Sequence, residues 1–205
     1  GLPMIISTGM AFKKEITDIL KIVKKYNKSG TALLKCTSLY PAPDETINLL
    51  AIDNFIKTFN VPIGYSDHSK DELPSLIAVS LGAKIIEKHF TLDKKQEGPD
   101  HKFSLGPKEF TNLVNNIRRV EKLMGDFIIK PHDKEIKNKK KNYRKILAIK
   151  KIAKGEKLTI FNVGLKRTLN FKTGLSSKFF DKILGKTAKT IIKPDDHILF
   201  SKIKK

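Results

Sequence analysis

The chain has one cysteine, Cys36, so no internal disulfide can brace it. It contains no stretch approaching the ~20 consecutive apolar residues that a membrane-spanning helix requires, and it opens on no charged-then-apolar segment with a small-residue cleavage site. These absences lead to the expectation of a soluble, cytoplasmic protein with no membrane partner. Acidic residues are scarce: 21 Asp and Glu stand against 41 Lys and Arg, for a formal net charge of +20. Such an excess raises nucleic-acid binding as a reading, because a basic surface attracts phosphate through counterion release. The lysines are spread along the whole chain, however, with no helix-turn-helix, zinc-finger or aromatic-basic sheet motif among them. Nucleic acid is therefore not expected as a partner, whereas attraction of small anions is. With 40% hydrophobic residues over 205 positions, the chain can bury one substantial core or two small ones. Cys36 lies in an apolar run with Ala32, Leu33 and Leu34 and reads as a buried structural thiol with no activating base beside it.

From residue 1 to about 126 a short apolar run is repeatedly followed by an amphipathic stretch. Met4 to Ser7 reads as a strand, and Ile16, Ile19, Leu20 and Val23 then fall at helical spacing over 13–26. Ala32 to Cys36 is followed by a helix carrying Leu49, Ile52, Phe55, Ile56 and Phe59. Val61 to Tyr65 precedes a helix from Leu73 to Leu81. Ala83 to Lys88 is followed by a long loop and a helix from Pro107 to Met124, where proline suits the first turn. Four strand-helix units in succession predict a parallel sheet with helices packed outside it. A closed eight-fold barrel takes about 250 residues, so this α/β segment has the size of half a TIM barrel. The sequence begins Gly1-Leu2-Pro3, with no initiator methionine, and runs at once into a strand. The expectation is that further strands precede Gly1 in the natural protein, or that this piece pairs with something else.

Residues 127–145 form an almost purely polar segment, rich in basic side chains from Lys134 to Lys145, and read as an exposed basic linker. Residues 146–205 lack helical periodicity and show short β-type runs (Ile146 to Ile149, Ile191 to Ile192, Ile198 to Phe200) broken by Gly155, Gly164, Gly174 and Gly185. A small, mainly β second domain is expected there.

In strand-helix barrels the reactive residues sit at the C-terminal ends of strands. His68 and His89 stand at matching ends of the third and fourth strands, with the carboxylates Asp67, Glu87 and Asp100 nearby. Either histidine alone is more often a hydrogen-bonded structural residue; the pair points to a metal site, and imidazole with oxygen ligands and open positions suits manganese or magnesium as a Lewis acid. Ser7, Thr8, Thr37 and Ser38 offer hydroxyls beside Gly9, a combination that serves equally to bind a phosphate or carboxylate or simply to cap strand ends.

Five ordered segments carry a resemblance: Ser7-Thr8-Gly9-Met10, Cys36-Thr37-Ser38-Leu39-Tyr40-Pro41-Ala42-Pro43, Gly64-Tyr65-Ser66-Asp67-His68, Ile86-Glu87-Lys88-His89-Phe90-Thr91 and Gly98-Pro99-Asp100-His101-Lys102. Together they resemble the N-acetylneuraminate (sialic acid) synthase family. Lys150 to Glu156, Lys166-Arg167, Gly174-Leu175 and Leu184-Gly185-Lys186 resemble the antifreeze-like (SAF) domain that closes those enzymes. The resemblance implies the last four units of a TIM barrel followed by a SAF domain. It implies a C–C bond-forming transferase that condenses phosphoenolpyruvate with N-acetylmannosamine or a related N-acylated amino sugar and releases phosphate. On the matching positions, His68 and His89 are implied as ligands of a divalent metal, Mn2+ or Mg2+, and as catalytic together with Glu87 and Asp100. Ser7, Ser38 and Ser66 are implied to line the phosphoenolpyruvate site, and Tyr40, Glu87 and Asp100 the sugar site. Arg167 is implied to reach the sugar in a partner subunit, and hence a domain-swapped homodimer. Three positions depart from the family pattern. Ser38 stands where several members have asparagine, Lys35 where histidine is common, and Thr168-Leu169-Asn170 replaces a proline-glycine turn. The Gly98 to His101 segment leans toward the neuraminate or legionaminate branch over the pseudaminate branch. The family's phosphate-binding lysines and an early glutamate would lie before Gly1. The competing reading is a non-catalytic protein that keeps metal and carbohydrate contacts or serves in dimerisation.

Overall fold

The structure is a computed structural model that describes residues 1–126, 128–168 and 173–204, the side chains of 139–141 excepted. The chain divides into two compact units, Gly1–Phe127 and Ile128–Lys205. In the first, strands β1 (Met4–Ser7), β2 (Thr31–Cys36), β3 (Ile63–Asp67) and β4 (Ile86–Lys88) form one parallel sheet in the order β1-β2-β3-β4. Helices α1 (Lys13–Tyr26), α2 (Asp44–Ile47), α3 (Ala51–Thr58), α4 (Leu73–Ser80) and α5 (Pro107–Met124) connect or follow the strands. This is a mixed α/β half-barrel of four parallel strands. The central strands are the most enclosed: every residue of β3 is buried, while Met4 and Ile5 on edge strand β1 are exposed. That gradient follows from a sheet covered by helices, whose middle strands meet neighbours on every side.

Local chemistry sets the elements. In α1, Ile16 and Leu20 pack into the core, whereas Ile19, expected on the same face, is exposed, and the Glu15 carboxylate accepts the otherwise unpaired Phe12 N–H at 2.6 Å, closing the first turn. Pro107 opens α5, where Glu109 accepts the Gly106 N–H at 2.8 Å. The expected second helix is α3, and a further short helix, α2, precedes it and stops where Asn48 takes a left-handed φ of 47°. Ile16, Leu33, Ile47, Ile52, Phe59, Ile63, Tyr65 and Ala78 meet in one core between sheet and helices. Gly64 is required in β3 because a Cβ there would lie 2.5 Å from the Ile85 carbonyl oxygen.

In the second unit, β5 (Arg144–Ala148) pairs antiparallel with β6 (Val163–Arg167), and isolated bridges such as Ile152 to Ile192 tie the remaining chain to itself. Ile146, Ile152, Leu158, Val163, Ile183, Ile192 and Ile198 form its core. Two sequence expectations change here. The polar segment read as an exposed linker contains helix α6 (Asp133–Asn142), with reciprocal end bonds: His132 Nδ1 accepts the Lys134 N–H at 3.1 Å and Glu135 accepts the His132 N–H at 2.9 Å. Helical periodicity missed it because it has almost no apolar stripe. The β-type run ending at Phe200 gives way to a 3-10 turn, Phe200–Lys202, and the short helix α7 (Phe180–Ile183) precedes it. Leu169 and Asn170, which carry the family departure after Arg167, lie outside the described residues. Among the described residues no helix is long and apolar enough to cross a membrane.

Candidate functional site

Alternation along parallel strands decides what meets at the sheet's C-terminal edge. Successive side chains point to opposite faces, so Ser66 and His68 leave β3 on one face while Tyr65 and Asp67 leave on the other. Ser66 pairs in register with Glu87 on β4, which brings Glu87 and His89 alongside Ser66 and His68. The Ser66 hydroxyl donates to Glu87 Oε1 at 2.6 Å, and the imidazole centroids of His68 and His89 lie 5.3 Å apart in an edge-on arrangement. Ser66, His68, Glu87, Lys88 and His89 line an open cavity of about 230 Å³.

His68 has a defined orientation. Its Nδ1 lies 2.8 Å from the Thr37 carbonyl oxygen, which can only accept, so Nδ1 carries the hydrogen and the Nε2 lone pair is left available. Nε2 lies 3.5 Å from Ser66 Oγ. His89 is more open, with Nδ1 3.7 Å from Asp100 Oδ2. The loop after β4 folds back on that strand through Leu105 N–H to His89 O at 2.9 Å and Thr91 N–H to Leu105 O at 2.9 Å. Thr91 Oγ1 and His101 Nδ1 meet at 2.7 Å, and Asp100 O accepts the Ser104 hydroxyl at 2.7 Å. These bonds place Asp100 and Phe103 beside His89. Phe103 stacks 5.3 Å from His89 and 6.1 Å from Tyr40, and the Tyr40 ring lies 4.2 Å from His68. Desolvation and the neighbouring Cys36, Asp100 and Glu87 push the Tyr40 phenol above its ordinary value, which keeps it an O–H donor. Phe103 is absent from the sequence-based set because its contact is non-local and no periodicity announces it.

Other residues fall elsewhere. Asp67, expected near the metal, points to the helix side of the sheet, where its carboxylate takes the Ser75 hydroxyl at 2.5 Å and the Lys88 ammonium at 3.0 Å. The parity of β3 sends it away from the two histidines. Thr8 donates to Leu34 O at 2.9 Å and Thr37 to Thr46 O at 3.2 Å, so these hydroxyls serve the strand ends. Ser7 and Ser38 hydroxyls have no hydrogen-bond partner among the described residues, and Ser38 Oγ packs on Gly9 so closely that a Cβ there would collide with it. Cys36 is half-buried at the site rather than in the core, its Sγ 3.8 Å from His68 Nδ1. Lys35 is buried, donates to Thr37 Oγ1 at 2.8 Å and to the Ile47 carbonyl, and lies over the Tyr65 ring; burial lowers its pKa, opposed by Cys36 and Asp67. Arg167 is exposed on β6 of the second unit, opposite Arg144.

Among the described residues no group of three or more His, Cys, Asp or Glu side chains is arranged to hold a metal. The two imidazoles are the nitrogen donors that converge. Two nitrogens with open positions fit an oxygen-loving ion that completes its shell with water or substrate oxygens, and do not fit a closed four-ligand zinc site.

A family model described as "NeuB family" matches residues 1–129. The chain is 42% identical over 197 residues to the N,N'-diacetyllegionaminic acid synthase of Campylobacter jejuni, covering 95% of this chain and 58% of that protein. It is 41% identical over 194 residues to the pseudaminic acid synthase of the same species, covering 95% and 55%. Among solved structures, the N-acetylneuraminic acid (sialic acid) synthetase of Leptospira borgpetersenii, in complex with citrate, aligns with a TM-score of 0.60 at 41% identity, over 65% of this chain and 47% of that one. The chain thus spans little more than half the length of the curated relatives it matches.

Proposed function

The chain belongs to the NeuB family, and from that premise we propose that it forms the greater part of a nonulosonic acid synthase, a transferase that joins phosphoenolpyruvate to an N-acylated amino sugar. In this reading residues 1–126 supply the last four units of a TIM barrel, 127–145 a connection and 146–205 a SAF domain. The observation that carries the reading is the pair of imidazoles, His68 and His89, 5.3 Å apart over a cavity that also holds the Ser66–Glu87 hydrogen bond.

His68 and His89 would hold a manganese or magnesium ion, with His68 fixed for the task by its Nδ1–H bond to Thr37. Such an ion, when bound, supplies Lewis-acid polarisation of the sugar's carbonyl oxygen. The chain's own groups do the positioning. Ser66 holds Glu87 by one carboxylate oxygen, and the other oxygen, without a partner among the described residues, accepts a sugar hydroxyl. The protonated Tyr40 phenol and Asp100 hold the sugar from the opposite side, against Phe103. Ser7 and Ser38 donate to the phosphate and carboxylate of the donor, and Ser66, its one hydrogen committed to Glu87, lines the same site. So arranged, C3 of the enol bonds to the aldehyde carbon; water then adds at C2, and phosphate leaves with its bridging oxygen. We assign Arg167 to the sugar site of a second subunit in a domain-swapped homodimer.

The test uses the intact natural protein and measures inorganic phosphate. Release is expected only when phosphoenolpyruvate, an N-acylated aldehyde sugar and a divalent ion are all present. No release with any acylated hexosamine contradicts the proposal, and ion binding without turnover supports a non-catalytic role instead.

A further inference from the structure

The helix side of the half-barrel sheet buries three charged side chains, Lys35 of β2, Asp67 of β3 and Lys88 of β4, and the last two meet. Their side chains are 0% and 1% exposed, and the ion pair closes at 3.0 Å. A buried pair of this kind adds little net stability over apolar residues of the same shape. What this one does is fasten chain segments. The Lys88 ammonium also donates to Ser69 O at 2.7 Å, Ser69 Oγ at 3.0 Å and Asp71 O at 2.7 Å. Asp67 in turn accepts Ser69 N–H at 2.8 Å, the Tyr65 hydroxyl at 3.3 Å and the Ser75 hydroxyl of α4 at 2.5 Å. The residue immediately before His89 is therefore tied to the residue immediately before His68 and to two residues just after it. Both faces of one strand end are involved: the histidines point into the cavity, while their chain neighbours clasp each other behind the sheet.

We propose that Asp67 and Lys88 are positioning residues whose buried clasp sets the separation and ring orientation of His68 and His89. β4 is three residues long and its register with β3 ends at the Asp67 to Lys88 pair; beyond that rung the two strand ends are bonded to other segments, His68 O accepting Ala42 N–H at 2.9 Å and His89 O accepting Leu105 N–H at 2.9 Å, and not to each other. The clasp acts at that last rung, where a small rotation of either strand end would swing an imidazole away from its neighbour. The inference rests on the proposed ion-holding role of the two histidines for its consequence, and on the hydrogen bonds alone for its geometry.

The experiment compares the 205-residue chain with Lys88→Met and with the double variant Asp67→Asn, Lys88→Met. The single variant strands a buried carboxylate; the double variant removes both charges and is the one expected to fold. Two readouts are taken. Two-bond imidazole 1H–15N spectra report the His68 tautomer, held as Nδ1–H by Thr37 in the parent and expected to become a mixture in the double variant while far-UV circular dichroism is retained. Titration with Mn2+ alone is expected to weaken about 10- to 100-fold, the usual consequence of losing support behind metal-binding side chains. A folded double variant with the parent's tautomer spectrum and Mn2+ affinity overturns the proposal. Failure of both variants to fold assigns the clasp to stability and also overturns it. If the parent binds no Mn2+, the ion-holding reading fails, and the tautomer spectrum still decides the clasp.

Discussion

Residues 128–205 keep polar groups almost entirely out of their core: the buried set there is aliphatic apart from Asn162, whose amide donates to Glu156 at 3.0 Å and to Lys157 O at 2.9 Å. Residues 1–127 bury Thr8, Lys35, Ser66, Asp67, His68, Ser69, Ser75, Thr91 and Ser104 as well as their aliphatic core. Every buried side-chain nitrogen or oxygen among the described residues has a partner, so this polarity is organised. It is also concentrated at the C-terminal ends of β2, β3 and β4. The comparison teaches that the first unit gives up simple packing at one edge, where polar side chains are gathered and bonded, while the second is built almost wholly from aliphatic packing.

Substitutions can break that contrast, beginning with the largest effect. In the intact protein, His68→Ala or His89→Ala should reduce ion-dependent phosphate release to background while circular dichroism and melting stay near the parent's, because strand-end residues seldom support a core. A matching loss of melting temperature would show that the polar edge is structural after all. Ile152, fully buried in the second unit, gives the opposite signature: Ile152→Ala should cost about 2–5 kcal/mol in chemical denaturation, with Mn2+ affinity unaltered. Gly64→Ala tests the seam between packing and site. Its Cβ would press on the Ile85 carbonyl, so a loss of about 1–3 kcal/mol is expected along with weakened Mn2+ binding, since β3 carries both functions.

The smallest effect is electrostatic. Hydrogen bonds from Lys94 and from the Gly106 backbone hold the Glu109 carboxyl below its ordinary value of 4.5. Its folded pKa lies below its unfolded one, so its contribution is present above pH 4.5 and disappears as the pH falls through the folded value. Glu109→Gln should remove about 0.2–1 kcal/mol at neutral pH, after allowance for solvent screening, and should flatten the acid limb of the stability curve below pH 4.5. An acid limb identical to the parent's would remove Glu109 from the account.

Much of this was legible in sequence because it depends on period. Apolar spacing located α1, α3, α4 and α5, and runs of apolar residues located the four strands within a few positions. The convergence of Ser66, His68, Glu87 and His89 follows from matching strand ends and a period of two. The same parity, applied strictly, would have sent Asp67 to the far side with Lys88; reading by proximity in sequence placed it with the histidines. Phe103 and the fold-back at Leu105 depend on a long loop whose contacts have no local signature. Helix α6 was missed because end bonds hold it without an apolar stripe, and α2 was missed because its four residues are too few to show a period.

The central claim is that His68 and His89 share one cation, and Mn2+ titration of the chain followed by electron paramagnetic resonance tests it most directly. One ion per chain is expected in the parent, with that binding lost in His68→Ala and equally in His89→Ala. Binding that survives both substitutions, or a parent that takes up no ion, would contradict it.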